Sequence, residues 1–130
     1  MQPTLLSVQG ASKRFGDVVA LETVNLEIRE GDIIGLVGSN GAGKTTLLRL
    51  LSGVYRPTSG RVVLDDGSEV ERARQRLGVV PENTGLYARL TAWENIRYHA
   101  RMHGVNDDEA WQRTVYFAKH LDMVLSLIHI

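Results

Sequence analysis

One glycine-rich stretch of this 130-residue sequence combines residue types that bind phosphate groups. Residues 38–45 read Gly-Ser-Asn-Gly-Ala-Gly-Lys-Thr and match the pattern G-x-x-x-x-G-K-[ST]. Glycine allows the backbone to turn with positive φ and to approach a ligand closely, so that several N–H groups can point at one phosphate. We therefore expect a cradle for the phosphates of a nucleoside triphosphate, formed by Gly38, Ser39, Asn40, Gly41, Ala42 and Gly43.

Three polar residues that follow the loop complete the predicted site. Lys44 would bring a positive charge to the β- and γ-phosphates, which makes it the first candidate catalytic residue. The hydroxyl of Thr45 is a hard oxygen ligand of the kind that Mg²⁺ prefers. Thr46 would add a donor near the α-phosphate. The predicted ligands are thus a nucleotide and a magnesium ion.

The loop requires a strand before it and a helix after it. Residues 33–37 are apolar without alternation, which is typical of a strand buried on both faces. The helix over residues 44–51 would present the unpaired N–H groups of its first turn to an anion. Its leucines at positions 47, 48 and 51 are predicted to share one buried face.

Further strands and helices are predicted on both sides of the loop. Residues 5–14 and 18–29 read as two antiparallel strands, and the second alternates with Val24, Leu26 and Ile28 on one face. Short strands are expected at 60–64 and 77–80, with a short helix at 72–76 between them. Two helices close the chain, one beginning with a capping box of Thr91 and Glu94 and one capped by Asn106.

Composition excludes several classes of protein. The 15 basic and 15 acidic residues balance, which argues against a polybasic nucleic-acid or membrane-surface binder. The sequence has no cysteine, so disulfides and thiolate metal sites are excluded. No apolar run approaches the ~20 residues of a membrane-spanning helix, and the N-terminus lacks the features of a signal peptide.

From about Leu5 to Met123 the chain resembles the ATP-binding subunit of ABC transporters, which are P-loop NTPases. The resemblance rests on the loop region and on four further stretches in the same order: residues 13–16 (Lys-Arg-Phe-Gly), 51–53 (Leu-Ser-Gly), 57–62 (Pro-Thr-Ser-Gly-Arg-Val) and 78–82 (Gly-Val-Val-Pro-Glu). It implies an α/β fold in which N-terminal antiparallel strands join an incomplete parallel core sheet with flanking helices. Residues 82–87, with Leu90-Thr91 and Glu94-Asn95-Ile96, are similar to the branch that exports drugs, sodium or other small solutes.

The resemblance also assigns roles to two residues outside the loop. Phe15 stands where the family places an aromatic ring that stacks on adenine. Glu82 stands where most members have a glutamine that contacts Mg²⁺ or the attacking water, so it becomes a second candidate catalytic and metal-binding residue. Leu86 and Tyr87 are candidates either for the contact with a membrane subunit or for the core.

The partners implied by the resemblance are a transmembrane permease and a second ATP-binding subunit, with no nucleic acid. The subunit would lie in the cytoplasm, peripheral to the inner face of the cell membrane. The sequence lacks the family's signature motif, its acidic motif for Mg²⁺ and the general base, and its switch histidine. A nucleotide-binding module without turnover therefore stays open, as does another P-loop NTPase such as a kinase or GTPase, although no N-K-x-D sequence is present.

The last residues differ in character from the rest. Residues 125–130 (Leu-Ser-Leu-Ile-His-Ile) resemble the translation of a transposon-end sequencing adapter. We therefore expect residues 1–124 to be the N-terminal portion of an ABC ATPase domain and residues 125–130 to be a non-native tail.

Overall fold

The computed structural model describes residues 2–83 and 85–123. The described residues divide into two compact units, with the boundary between Val79 and Val80. The predicted tail at 125–130 lies outside the described residues.

The first unit is built on an antiparallel sheet of three strands in the order β2-β1-β3. The strands are β1 (Thr4–Phe15), β2 (Val18–Arg29) and β3 (Ser59–Leu64). Val8 pairs with Leu26 of β2 on one side and with Val62 of β3 on the other, so β1 is the central strand. The three predicted strands are confirmed: β2 alternates between half-buried and exposed residues, whereas β3 ends in three successive buried residues, Val62, Val63 and Leu64.

Helix α1 (Lys44–Leu51) joins this sheet in one apolar core. Leu50 of α1 is fully buried, and the core around it is completed by Leu6, Val8, Ala11, Val62, Leu64, Val70 and Ala73. Leu47 is also buried, but Leu48 is 55% exposed, so the prediction that Leu48 shares the buried face was wrong. The helical stripe that reaches the core is centred on Leu47 and Leu50, which are three residues apart.

Two predicted strands of the parallel core are not formed within residues 2–83 and 85–123. Residues 33–37 have no regular secondary structure, and Ile33 and Val37 are 100% and 95% exposed. Residues 77–80 are likewise irregular, with Val80 90% exposed. A strand is stable only when its N–H and C=O groups pair with a neighbouring strand, and no described segment pairs with either stretch. The expected helix at 72–76 appears as two short 3-10 turns, Val70–Arg72 and Arg74–Arg76.

The second unit contains the helices α2 (Ala92–Met102) and α3 (Asp107–His120). The predicted capping box is confirmed: the Glu94 N–H donates to Thr91 Oγ1 at 3.1 Å, and the Thr91 N–H donates to Glu94 Oε2 at 2.7 Å. Asn106 Oδ1 caps α3 by accepting from the Glu109 N–H at 2.9 Å. The rings of Trp93 and Trp111 meet edge to face at 4.8 Å, so the two helices pack through an aromatic pair.

Candidate phosphate-binding site

A cavity of about 360 Å³ lies in the first unit between the glycine-rich loop and the start of β2. Its walls come from three parts of the chain: the start of β2, the loop, and the first turn of α1. The lining residues are Val18, Val19, Ala20, Ser39, Asn40, Gly41, Gly43, Lys44, Thr45 and Thr46. The structure therefore brings seven of the predicted phosphate-binding residues to one cavity.

The two loop residues outside this lining hold its shape. The Ala42 N–H donates to the Ser39 carbonyl at 3.1 Å and closes a turn inside the loop. The carbonyl of Gly38 accepts a hydrogen bond from the Lys44 ammonium. Gly38 and Ala42 thus lie in the loop as predicted, and here they support the residues that line the cavity.

Two glycines give the loop a path that other residues rarely take. Gly41 and Gly43 have φ values of 82° and 94°, in the left-handed region that favours glycine. Gly43 is also tightly packed, since a Cβ atom there would lie 2.9 Å from the Ala20 carbonyl oxygen. A Cβ on Gly41 would meet nothing within 4 Å. Gly43 therefore fixes how closely the loop approaches β2, and Gly41 leaves the cavity side open.

The first turn of α1 supplies donors to the cavity. Leu47 is the first residue of the helix whose N–H bonds to a preceding turn, donating to the Gly43 carbonyl at 2.9 Å. The N–H groups of Lys44, Thr45 and Thr46 consequently have no acceptor within the helix. No acidic residue lies in this first turn to compete for them. The positive end of the helix dipole and these donors together make the cavity suitable for an anion.

Lys44 contributes the one formal charge among the lining residues. Its ammonium donates to the carbonyls of Gly38 and Ser39, the latter at 2.9 Å. An ammonium has three donors, so at least one stays available to a ligand. The side chain is half-buried, and Lys44 lines the cavity, so its positive charge lies at the cavity wall.

The residues present fit a magnesium ion that is bound mainly through its nucleotide. Thr45 is exposed in the cavity lining and offers a hydroxyl oxygen. Within the described ranges 2–83 and 85–123, no group of three or more His, Cys, Asp or Glu side chains could hold a metal ion. Mg²⁺ commonly keeps several waters and takes one or two protein oxygens together with substrate phosphates. Thr45 would be the protein ligand here, with phosphate oxygens and water completing the shell.

The β2 wall was not predicted from the sequence. Val18, Val19 and Ala20 were interpreted only as strand residues, yet they close the cavity opposite the loop. The motif itself carries no signal for them, because their approach depends on how β2 and α1 pack.

Phe15 lies beside this wall. Its Cα partner across the β1–β2 ladder is Val18, which lines the cavity. The ring is 45% exposed and meets Tyr55 edge to face with 5.3 Å between the centroids. A ring in this position has surface available for a base, and adenine stacking stays a prediction.

Glu82 and the residues after it belong to the second unit. Glu82 is exposed in an irregular segment, and its predicted catalytic and metal-binding role stays a prediction. Leu86 is 63% exposed and Tyr87 is 48% exposed, so neither is a core residue. Tyr87 contacts the Tyr98 ring edge to face at 5.3 Å, and the interaction with the Tyr98 side chain raises the pKa of Tyr87.

Asn95 is a structural residue that sequence reasoning missed. It is 5% exposed, and its amide bonds to the chain that precedes α2: Nδ2 donates to the carbonyls of Tyr87 at 3.1 Å, Leu90 at 3.3 Å and Thr91 at 2.9 Å. Its Oδ1 accepts from the Tyr87 N–H at 2.8 Å. A polar residue at a buried helical position was the available signal.

Across residues 2–83 and 85–123, no helix has the length and apolar character needed to cross a membrane.

A family model and the sequence relatives of this chain all point to the same protein family. A model of the ABC transporter family matches residues 21–127. The ABC transporter ATP-binding protein NatA of Bacillus subtilis (strain 168) is 36% identical over 127 residues, which cover 92% of this chain and 52% of NatA. The methionine import ATP-binding protein MetN of Geobacillus kaustophilus (strain HTA426) is 43% identical over 105 residues, which cover 75% of this chain and 31% of MetN.

A solved structure agrees with the sequence relatives. The ATP binding subunit of an ABC transporter superposes with a TM-score of 0.78 at 27% identity, covering 95% of this chain and 53% of that one. The chain spans about half the length, or less, of the curated relatives that it matches.

Proposed function

Because the chain belongs to the ABC transporter family of ATP-binding proteins, we propose that its glycine-rich loop holds the triphosphate of ATP together with Mg²⁺. The observation that carries this proposal is the meeting of Lys44 with the free N–H groups of α1 at one cavity. An ammonium, a helix N-terminus and glycine backbone are complementary to a polyphosphate anion. Thr45 would hold the magnesium ion, which neutralises phosphate charge when it is bound.

The chain's own residues act on ATP by binding and by electrostatic stabilisation. Backbone N–H groups of the loop and of α1 orient the β- and γ-phosphates, and Lys44 stabilises negative charge on the phosphoryl oxygens as it spreads during transfer. We propose that Glu82 orients or accepts a proton from the attacking water, as a carboxylate can do in place of an amide. Hydrolysis would proceed by in-line attack of water on the γ-phosphate.

The larger function that we propose is energising solute transport. In this proposal the subunit works with a transmembrane permease and a second ATP-binding subunit, at the cytoplasmic face of the membrane. We propose export, which is supported by the resemblance of residues 82–87 to exporter subunits, while MetN is named for methionine import. ATP supplied on the subunit's side should then drive a fluorescent drug or labelled sodium away from that side. Movement toward that side would exclude export of the probe used.

A second candidate is nucleotide binding without turnover by these 130 residues alone. It is favoured by the absence from the sequence of the signature motif, the acidic motif and the switch histidine. Labelled ATP separates the candidates: retention without phosphate release supports the binding module, and measurable release supports hydrolysis. Preferential retention of GTP over ATP would contradict ATP as the ligand of the site.

Lys44→Ala tests the proposed ATP site. Loss of a charge-assisted contact to phosphate should weaken ATP binding at least about tenfold, measured with a fluorescent ATP analogue on the intact subunit. Lys119→Ala is the matched control, because Lys119 is an exposed lysine in the last turn of α3 and lies outside the cavity lining. Unchanged ATP affinity in the Lys44 variant would contradict the proposed function.

A further inference from the structure

A cluster of two aromatic rings and two cations lies next to the phosphate-binding cavity. Phe15 and Tyr55 meet edge to face at 5.3 Å with an angle of 70° between the rings. The Lys13 ammonium lies 5.2 Å from the Phe15 centroid and 5.6 Å from that of Tyr55, and the Arg49 guanidinium lies 5.3 Å from the Tyr55 centroid. Each cation therefore lies within the range of attraction to a ring face.

Hydrogen bonds hold Tyr55 and Lys13 of this cluster in place. Arg49 Nη1 donates to the Tyr55 hydroxyl at 2.6 Å, and the Tyr55 N–H donates to the Arg49 carbonyl at 3.1 Å. Lys13 Nζ donates to the Arg56 carbonyl at 2.8 Å. Tyr55 is half-buried and packs against the core, whereas Phe15 is 45% exposed. The anchored ring of the pair is thus Tyr55, and the ring with open surface is Phe15.

The cluster is continuous with the cavity through two elements. Phe15 pairs with Val18, which lines the cavity wall, and Arg49 belongs to α1, whose first three residues line the cavity as well. The position of the Phe15 ring relative to the phosphate site is therefore set by β1 and β2 at its backbone and by Tyr55 at its side chain.

We propose that Tyr55 is a positioning residue that holds Phe15 in the orientation that receives the base of the bound nucleotide. The proposal rests on the ATP binding proposed above. An exposed ring loses rotamer freedom when a base stacks on it, and a ring already held by a neighbour has less freedom to lose. Tyr55 therefore increases affinity for the base-bearing ligand, while the phosphate cradle binds the triphosphate without its help.

This role differs measurably from a purely structural one. A merely structural Tyr55 would, when replaced, disturb α1 and the loop and weaken every ligand of the cavity alike. A positioning Tyr55 affects only the increment that the base adds. ATP and inorganic tripolyphosphate share the phosphate chain and differ in the nucleoside, so the ratio of their affinities isolates this increment.

The test measures both affinities by calorimetry on the intact subunit and on four variants. We expect Tyr55→Leu to lower the affinity for ATP about three- to fivefold, in line with the strength of an aromatic pair. The affinity for tripolyphosphate should stay unchanged. Tyr55→Phe keeps the ring but loses the hydrogen bond from Arg49, so its loss of ATP affinity should be smaller than that of Tyr55→Leu. Phe15→Ala should weaken ATP about tenfold. In the double variant Phe15→Ala/Tyr55→Leu the second change should add nothing, because Tyr55 acts through Phe15.

Several results would overturn the proposal. If Tyr55→Leu lowered the affinities for ATP and for tripolyphosphate equally, Tyr55 would have a structural role only. If neither affinity changed, Tyr55 would have no role in binding. A full additional loss in the double variant would mean that Tyr55 contacts the base independently. If Tyr55→Leu does not fold, Tyr55→Met also removes the ring from this half-buried position, and an unchanged ratio in that variant contradicts the proposal.

The proposed function fails by a different signature. In that case the Lys44→Ala variant would bind ATP with the affinity of the parent, and it would also bind tripolyphosphate with the affinity of the parent. This result would not depend on the residue at position 55. Tyr116→Leu is the matched aromatic control, since Tyr116 is 59% exposed and pairs edge to face with Phe117 at 5.3 Å in the second unit. Its affinity ratio should equal that of the parent.

Discussion

Gly43→Ala should destabilise the protein more than Gly41→Ala, although the two residues belong to one loop. Both have left-handed backbone conformations, with φ values of 94° and 82°. A Cβ at position 43 would lie 2.9 Å from the Ala20 carbonyl oxygen and 3.2 Å from Leu21 Cδ1, whereas one at position 41 meets nothing within 4 Å. The pair therefore separates backbone strain from steric contact.

The magnitudes follow from these two effects. Alanine in the left-handed region costs about 1–2 kcal/mol at either position. Forcing a methyl group against the backbone of β2 adds about 1–3 kcal/mol at position 43, because a carbonyl in a strand cannot move without shifting its neighbours. We expect Gly43→Ala to lower the free energy of unfolding by about 2–5 kcal/mol and Gly41→Ala by about 1–2 kcal/mol.

Urea unfolding of the intact subunit, followed by circular dichroism, measures this difference. The transition midpoint should fall further in Gly43→Ala while the slope m stays constant, which indicates a change of stability rather than of the unfolded state. Gly43→Ala should also lower the affinity for ATP, because the new methyl group would push on Ala20, which lines the cavity. Equal losses of stability in the two variants would refute the steric contact between the loop and β2.

Two further predictions concern the second unit. Asn95→Ala should lower the free energy of unfolding by about 2–4 kcal/mol, because it removes four hydrogen bonds of a buried amide and leaves the Tyr87 N–H and the Leu90 carbonyl without their partner. Asn106→Ala, which removes one cap bond, should cost about 1 kcal/mol, and equal losses in the two variants would contradict this account. In the capping box of α2, the hydrogen bond from the Thr91 N–H, followed by the interaction with the Thr91 side chain, lowers the pKa of the Glu94 carboxyl group from its usual 4.5. The stability from this carboxylate is present above pH 4.5 and is lost as the pH falls through the lower folded-state pKa. Glu94→Gln should therefore flatten the pH dependence of urea unfolding below about pH 5, and an unchanged acid limb would show that Glu94 does not contribute.

Sequence patterns predicted the elements whose partners are local or whose signals are stereochemical. β1 and β2 are joined by a tight turn, and alternation alone indicates which face of β2 is buried. The capping box of α2 depends on two residues three positions apart, so it can be predicted from the local sequence alone. The loop residues meet at one cavity because they are consecutive.

The features that were predicted wrongly, or not predicted, all depend on residues that are distant in the sequence. Residues 33–37 have the composition of a buried strand, but a strand forms only beside another, and no described segment pairs with them. Leu48 has the same side chain as Leu47, and only the direction from which the sheet packs decides which of them is buried. The wall of Val18 to Ala20 and the amide of Asn95 likewise act through tertiary contacts that no motif encodes.

The ammonium of Lys44 already has partners before any anion arrives. Since it donates to two carbonyls of the loop and has three donors, an incoming phosphate meets an ammonium that the protein already solvates in part and that still has a donor available. The side chain is a flexible four-carbon arm with three donors, so it can release one oxygen while it keeps another. Binding of an anion therefore need not begin from an ammonium that is solvated by water alone, which lowers the desolvation cost of bringing the charge to the ligand.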